Sequence, residues 1–296
     1  MSSKDVQAIE QANESGRTPI VFVHGLWLLT GSWAPWAAHV EAAGYAPVPL
    51  TWPDEPETVR EARAKPEVFA RKSVGQATEH LAGMVGRLER KPALVGHNFG
   101  GLLVQILAGR GLSAATVAIG PEPFRGVLTV PLSSLRASMP VLGSPFNRRR
   151  AVPLTFPQFR YAFANAVSDD EARALYDTFA VPASGVPLFQ QAGANLNPRT
   201  ELRVDTRNPD RGPLLILAGE KDTSIPWALA HAAHRRQRRN AGVTEITEMP
   251  GRGHSLVVDS GWKDVADATL AFVRRHVPPD PAGPAETGPA EGNTTP

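Results

Sequence analysis

The stretch Leu94-Val95-Gly96-His97-Asn98-Phe99-Gly100-Gly101-Leu102 constrains this chain more than any other. Pro92 to Val95 reads as a short buried strand, and Leu102, Leu103, Ile106 and Leu107 form an apolar stripe at helical spacing from Phe99 to Leu107. Between them lies a turn flanked by glycines, sharp enough to need residues without a Cβ. A strand, tight turn and helix in this order hold one side chain up at the carboxyl end of a strand, where open α/β sheets bind ligands. That side chain is Asn98, an amide, which is neither a nucleophile nor an acid–base group.

The flanking sequence repeats the alternation. Thr18 to Val23 reads as a buried strand ending at His24-Gly25-Leu26-Trp27, followed by a helix over 32–43 with Ser32 as its cap and Gly44 as its stop. Tyr45 to Leu50 reads as a strand confined to an edge by Pro47 and Pro49. A helix over 73–89, a strand over 114–119, a strand over 213–218, a helix over 227–239, a strand over 243–249 and a helix over 261–276 complete the pattern. Strands alternating with helices predict an α/β fold: a mainly parallel sheet covered by helices on both faces. Residues 121–210 break the alternation. They are rich in proline and aromatic residues, with helical fragments at 156–166 and 169–180. The expected organisation is a loosely held N-terminus (1–17), a core made of 18–122 and 211–277, an inserted helical lid (123–210), and a disordered Pro/Gly/Ala/Glu/Thr tail (278–296).

Composition removes several classes of function. There is no cysteine, hence no disulfide, thiol nucleophile or thiolate metal site. No phosphate-binding loop is present, the glycines at 96–101 lack dinucleotide spacing, and nothing indicates a metal or other cofactor. The net charge of +2 gives no reason to expect nucleic acid. The arginine clusters at 148–150 and 235–239 read first as solvated surface. No apolar run is long enough to span a membrane, so neither membrane nor nucleic acid is expected as a partner. The N-terminus lacks the apolar stretch of a signal peptide, which makes the cytoplasm the default compartment. Oligomeric state is not legible.

Three strand ends carry the chemistry, in the order Asn98, then Asp222 in Gly219-Glu220-Lys221-Asp222-Thr223-Ser224-Ile225-Pro226, then His254 in Gly251-Arg252-Gly253-His254-Ser255. With His24-Gly25, these motifs resemble the α/β-hydrolase superfamily, in its lid-bearing esterase, lipase and epoxide-hydrolase branch, over roughly 18–277. The resemblance implies that Asn98 stands at the nucleophile position, that Asp222 orients His254, and that the backbone N–H groups of Phe99 and Leu26 form an oxyanion hole, with Trp27 as the fallback donor. Glu122, after the strand that follows the elbow, is the runner-up acid. His24 and His97 are expected to orient loops, and His39, His80, His231, His234 and His276 to lie at the surface.

Four readings of Asn98 remain open at this stage. It marks an inactivated or diverged serine hydrolase acting on a small, largely apolar carbonyl or ester substrate. Alternatively, His254 and Asp222 serve as a general base in lyase, isomerase or cyclase chemistry. A third reading makes it the amide of an aspartate-type epoxide hydrolase or dehalogenase site, in which the lid tyrosines Tyr161 and Tyr176 would polarise the substrate. The fourth is a ligand-binding protein without turnover. Phe146, Phe156, Phe159, Phe163, Phe179 and Phe189, with Trp27, Trp33 and Trp36, are expected to line an apolar pocket collectively, although any one of them fits a core position equally well.

Overall fold

The computed structural model describes residues 2–279. In chain order the elements are α1 (Ser3–Ser15), β1 (Pro19–Val23), α2 (Ala34–Ala42), β2 (Ala46–Leu50), α3 (Val59–Ala64), α4 (Val74–Val85), β3 (Ala93–His97), α5 (Phe99–Gly109) and β4 (Ala115–Ile119). There follow α6 (Leu132–Leu142), β5 (Ala151–Val152), α7 (Phe156–Ala162), α8 (Asp169–Phe179), β6 (Ala183–Ser184) and α9 (Val186–Gly193). The chain closes with β7 (Leu214–Gly219), α10 (Trp227–Gln237), β8 (Thr244–Met249) and α11 (Trp262–His276).

Six strands form one sheet in the order β2-β1-β3-β4-β7-β8, every pair parallel. Their apolar runs follow from this: a parallel strand covered on both faces must be apolar at every position. In β1, Val21 and Val23 face a core built with Leu81 of α4, Leu103 and Leu107 of α5, and Leu229 of α10. Ile20 and Phe22 face the other core, with Trp33, Trp36 and Val40 around α2 and Val265, Leu270 and Val273 of α11. β2 tolerates Pro47 and Pro49 because it is the edge, as expected from its sequence.

The N-terminus departs from expectation. Residues 1–17 are not loosely held over the described part, since 3–15 form α1. Ser2 and Asp5 make a capping box, Ile9 and Ala12 are buried, and the buried Asp5 carboxylate accepts from Thr51 N (3.0 Å) and Thr51 Oγ1 (2.7 Å). Two apolar anchors in a polar stretch give too weak a periodicity to read. Ser32 is not a helix cap either. It lies in a 3₁₀ turn, its hydroxyl bonded to Leu29 O, and α2 begins two residues later. The helices α3, α6 and α9 were also not anticipated. The segment between β4 and β7 holds α6 to α9 and the two-residue antiparallel pair β5–β6. The expected disordered tail, apart from Pro278 and Pro279, lies outside the described residues.

The strand order reverses at β1, which pairs with β2 on one side and β3 on the other. Connections from β1 and β3 therefore leave in opposite directions and open a crevice at their carboxyl ends. Among the described residues no helix is long and apolar enough to cross a membrane.

Candidate active site

Five neighbouring strands, β1, β3, β4, β7 and β8, deliver Leu26, Asn98, Glu122, Asp222 and His254 to the same end of the sheet. Asn98 follows β3 directly, with φ 56° and ψ −120°, a backbone state that side-chain-bearing residues seldom adopt. The glycines make room for it: a Cβ on Gly100 would lie 2.0 Å from the Val23 carbonyl oxygen. The turn thus seats the amino end of α5 directly against the end of β1.

His254 must reach back from β8, across β7 and β4, to meet residue 98. Its backbone is held by His97, whose Nε2 donates to the His254 carbonyl oxygen at 2.9 Å. Burial, with the neighbouring His254 and His24 adding to it, drives the His97 pKa well below 6.5, so this imidazole is neutral. Gly120, at φ 46°, clears the path, because a Cβ there would sit 3.3 Å from the His254 ring.

The side chains form one hydrogen-bonded chain. His254 Nδ1 donates to Asp222 Oδ2 at 2.6 Å, and Asp222 Oδ1 accepts from Ser224 N and Ile225 N, both at 2.8 Å. Asn98 Nδ2 lies 3.1 Å from His254 Nε2 and donates to Glu122 Oε1 at 2.9 Å; Asn98 Oδ1 accepts from Leu26 N at 3.2 Å. Glu122 Oε2 accepts from Gln191 Nε2 of α9. With Nδ1–H on Asp222, His254 Nε2 presents its lone pair to the amide. Burial lowers the His254 pKa, but the charge and hydrogen bond of Asp222, and then Glu122, outweigh it and raise the value above 6.5. Burial pushes the Glu122 pKa up, against the hydrogen bonds from Gln191 and Asn98 and the charge on His254.

Behind Leu26 lies a second buried pair. His24 Nε2 donates to Glu55 Oε2 at 2.5 Å and Nδ1 to the Gly25 carbonyl oxygen at 2.7 Å; two acceptors require an imidazolium. Glu55 also accepts from Thr30 N and Trp52 N. Burial works against both charges, yet the attraction between them raises His24 above 6.5 and lowers Glu55 below 4.5. This pair fixes the backbone that carries Leu26 N–H. Phe99 N–H, at the first position of α5, has no acceptor within its helix.

A cavity of about 280 Å³ opens over Asn98 and His254. Trp27, Phe159, Phe163, Leu188 and Leu229 are among its apolar walls, and Glu122, Gln191, Asn195 and Ser224 are among its polar groups. Trp27 Nε1 also donates to Val152 O at 2.9 Å and Trp27 O accepts from Val181 N, tying the β1 loop to the inserted segment.

Not every anticipated side chain reaches the cavity. Tyr176 turns its hydroxyl to Leu154 O and packs on Phe156 and Phe159, while Tyr161 lies beneath the Arg136 guanidinium; neither lines the cavity. Trp33 and Trp36 are fully buried against Phe22 in the core, and Phe146 points outward at 72% exposure. Glu122 does not orient His254; it holds Asn98. His234 is buried rather than exposed, its ring 3.3 Å from Thr244 O. Gln191 and Glu55 had no signal in the sequence, since each meets its partner only through the fold.

A profile of the alpha/beta hydrolase family matches residues 20–268, and the chain belongs to that family. Its fold resembles an extracellular alpha/beta-hydrolase from a Paenibacillus species (TM-score 0.64, 20% identity, covering 86% of this chain and 98% of the other). It also resembles a Paleococcus ferrophilus monoacylglycerol lipase (TM-score 0.59, 19% identity, 88% and 97%). A third likeness is to a pyrethroid hydrolase from Sphingobium faniae (TM-score 0.60, 17% identity, 86% and 96%). No curated protein sequence matches the chain.

Proposed function

We propose that this protein is a diverged serine-hydrolase-type enzyme that binds a small, largely apolar carbonyl compound and acts on it without forming an acyl-enzyme. The supporting observation is the intact His254–Asp222 pair, 2.6 Å apart, with the His254 lone pair directed at an amide instead of a hydroxyl. Asn98 occupies the nucleophile position, and an amide cannot attack a carbonyl carbon. What remains is a general base, set beside the Leu26 and Phe99 N–H groups as an oxyanion hole, under a lid formed by the segment between β4 and β7. A substrate carbonyl that displaces Asn98 Oδ1 from Leu26 N–H would bring an acidic C–H, or a water, within reach of His254. The apolar walls favour an apolar substrate, in keeping with a lipase and a pyrethroid hydrolase among proteins of this fold. The aspartate-type reading loses its supporting tyrosines, because Tyr161 and Tyr176 stand outside the cavity.

Asn98→Ser should create hydrolysis of activated esters such as p-nitrophenyl acetate, with a burst, and labelling by a fluorophosphonate probe. The unsubstituted protein should remain unlabelled. Labelling of the unsubstituted protein, or an Asn98→Ser variant that is folded yet inert toward every ester tried, would sink this reading. A second reading, ligand binding without turnover, has one observation in its favour: the Asn98 amide is satisfied on both of its polar atoms. If His254→Ala leaves the conversion of a bound carbonyl compound unchanged, the general base is excluded; a carbonyl compound that the unsubstituted protein binds and never converts would favour the second reading.

A further inference from the structure

The first two turns of helix α6 have their polarity reversed. Leu132, Leu135, Arg136 and Met139 stand at i, i+3, i+4 and i+7 and are all exposed, from 44% at Leu135 to 83% at Leu132. Ser134, Ala137 and Ser138 line the cavity, with Leu135 and Val130 at its rim. A helix on the surface of a globular protein normally turns its leucines in and its serines out. The segment leading into α6 behaves alike, with Leu128 and Val130 each more than 70% exposed. Of eight large hydrophobic side chains exposed among the described residues, six lie between Leu128 and Phe146. One concentrated apolar area, at the mouth of the cavity, calls for an occupant.

The charge around it indicates which. Between Glu122 and Asp169 the sequence holds six arginines and no acidic residue or lysine, in a chain whose total charge is only +2. Arg160 pairs with Asp169. Arg136 stacks over the Tyr161 ring at 4.2 Å, and Arg148, Arg149 and Arg150 are exposed with no carboxylate partner among the described residues. The elements packed on α6 are α7, α9 and the 3₁₀ turn Pro145–Arg149. None of them contains an acidic residue. A second copy of the chain meeting this face in two-fold fashion would bring arginines against arginines. The exposed side chains are chiefly aliphatic, which suits insertion among acyl chains better than stacking on nucleobases.

We infer that the 125–150 segment docks on an anionic lipid surface, with Leu128, Val130, Leu132, Leu135 and Met139 entering the acyl boundary and Arg136 and Arg148–Arg150 meeting the headgroups. Aliphatic insertion combined with arginine pairing to anionic headgroups is how peripheral segments bind bilayers. The cavity mouth then faces the bilayer, so an apolar ligand can enter without passing through water. The inference is independent of the chemistry at His254.

Sedimentation with unilamellar vesicles tests it directly. The protein should partition onto vesicles of equal parts phosphatidylcholine and phosphatidylglycerol, much less onto phosphatidylcholine alone, and should be released by salt. Leu132→Ser with Leu135→Ser and Met139→Ser should weaken partitioning by roughly tenfold. Arg148→Glu with Arg149→Glu and Arg150→Glu should weaken it roughly a hundredfold. These side chains are exposed, so an unchanged melting curve verifies that each variant is folded. No partitioning at low salt overturns the inference. So does undiminished binding by the serine variant, which would leave only non-specific charge attraction. A vesicle-free dimer that the serine variant dissolves, or an acidic peptide that displaces the vesicles more tightly than they bind, would assign the face to a protein partner instead.

Discussion

Asn98 touches three groups of different character: a backbone N–H, the Glu122 carboxyl group and the His254 Nε2. Only one orientation of its amide satisfies all three. Glu122 accepts on both oxygens, from Asn98 and from Gln191, so it draws Nδ2; Leu26 N–H donates and cannot accept, so it draws Oδ1. Protonation of His254 would set an N–H against the amide N–H₂, so Asn98 opposes the proton that Asp222 attracts. Glu122 also raises the His254 pKa through its charge. Glu122→Gln should therefore lower the His254 pKa, read from the ring C–H resonance in an NMR titration; a pKa that stays put or rises would show that Glu122 does not act on the imidazole.

The His24–Glu55 pair gives a stability profile whose sign can be worked out. The folded pKa of His24 is raised, so its contribution is complete below 6.5 and fades as pH climbs through the higher folded value. Glu55 is lowered, so its contribution is complete above 4.5 and fades as pH falls through the lower folded value. Both operate fully between pH 4.5 and 6.5. Urea midpoints should peak in that window, and Glu55→Gln should cost about 3–5 kcal/mol there while making the alkaline decline shallower. An equally steep decline in Glu55→Gln would assign it to other groups. None of this partnership was legible in the sequence. His24 was expected to orient a loop, but Glu55 lies 31 residues away and meets it only because β2 runs beside β1.

At the scale of elements, the central strands were legible because a parallel strand covered on both faces is apolar almost throughout, while β8, at the edge, carries Glu245 and Glu248. Asn98 and Asp222 were legible for the same reason, each following an apolar run, whereas His254 was legible from the glycines around it, Gly251 and Gly253. Helices were harder. α1 has two buried apolar residues, and α6 exposes Leu132, Leu135 and Met139 while burying Val141, so neither shows a stripe that predicts burial. One anchor between elements has no local signature in the sequence. Arg211, fully buried, donates to the carbonyl oxygens of Gly212, Gln237 and Val243, to Gln237 Oε1 and to Thr244 Oγ1. It joins the C-terminus of α10 to the start of β8, and burial lowers its pKa to about 10. The cation meets the negative end of the helix dipole rather than a carboxylate. Arg211→Met keeps much of the volume and strands those acceptors. It should lower stability by about 3 kcal/mol by urea unfolding, and a loss below about 1 kcal/mol would mean that water replaces the guanidinium.

Across the whole molecule, the sheet separates two cores, and α1 belongs to one of them through Ile9 and Ala12. It also completes the hydrogen bonding of Thr51 at the end of the edge strand β2. Deleting residues 2–16 should therefore cost about 3 kcal/mol and lower the melting temperature by several degrees. A truncated chain that melts with the full-length one would show that β2 tolerates its own exposure.

The amide of Asn98 can also be viewed as a ligand the protein carries with it. Its Oδ1 lies on the Leu26 N–H, where a carbonyl oxygen from outside would bind. Because it is tethered by its own backbone, it competes at a high effective concentration, and any incoming carbonyl binds with its intrinsic affinity reduced by the cost of eviction. Removing the competitor should release that affinity. Asn98→Ala should bind a small aryl ketone more tightly than the unsubstituted protein in calorimetric titration, by several-fold, while equal or weaker binding would show that the amide assists the ligand instead of standing in for it.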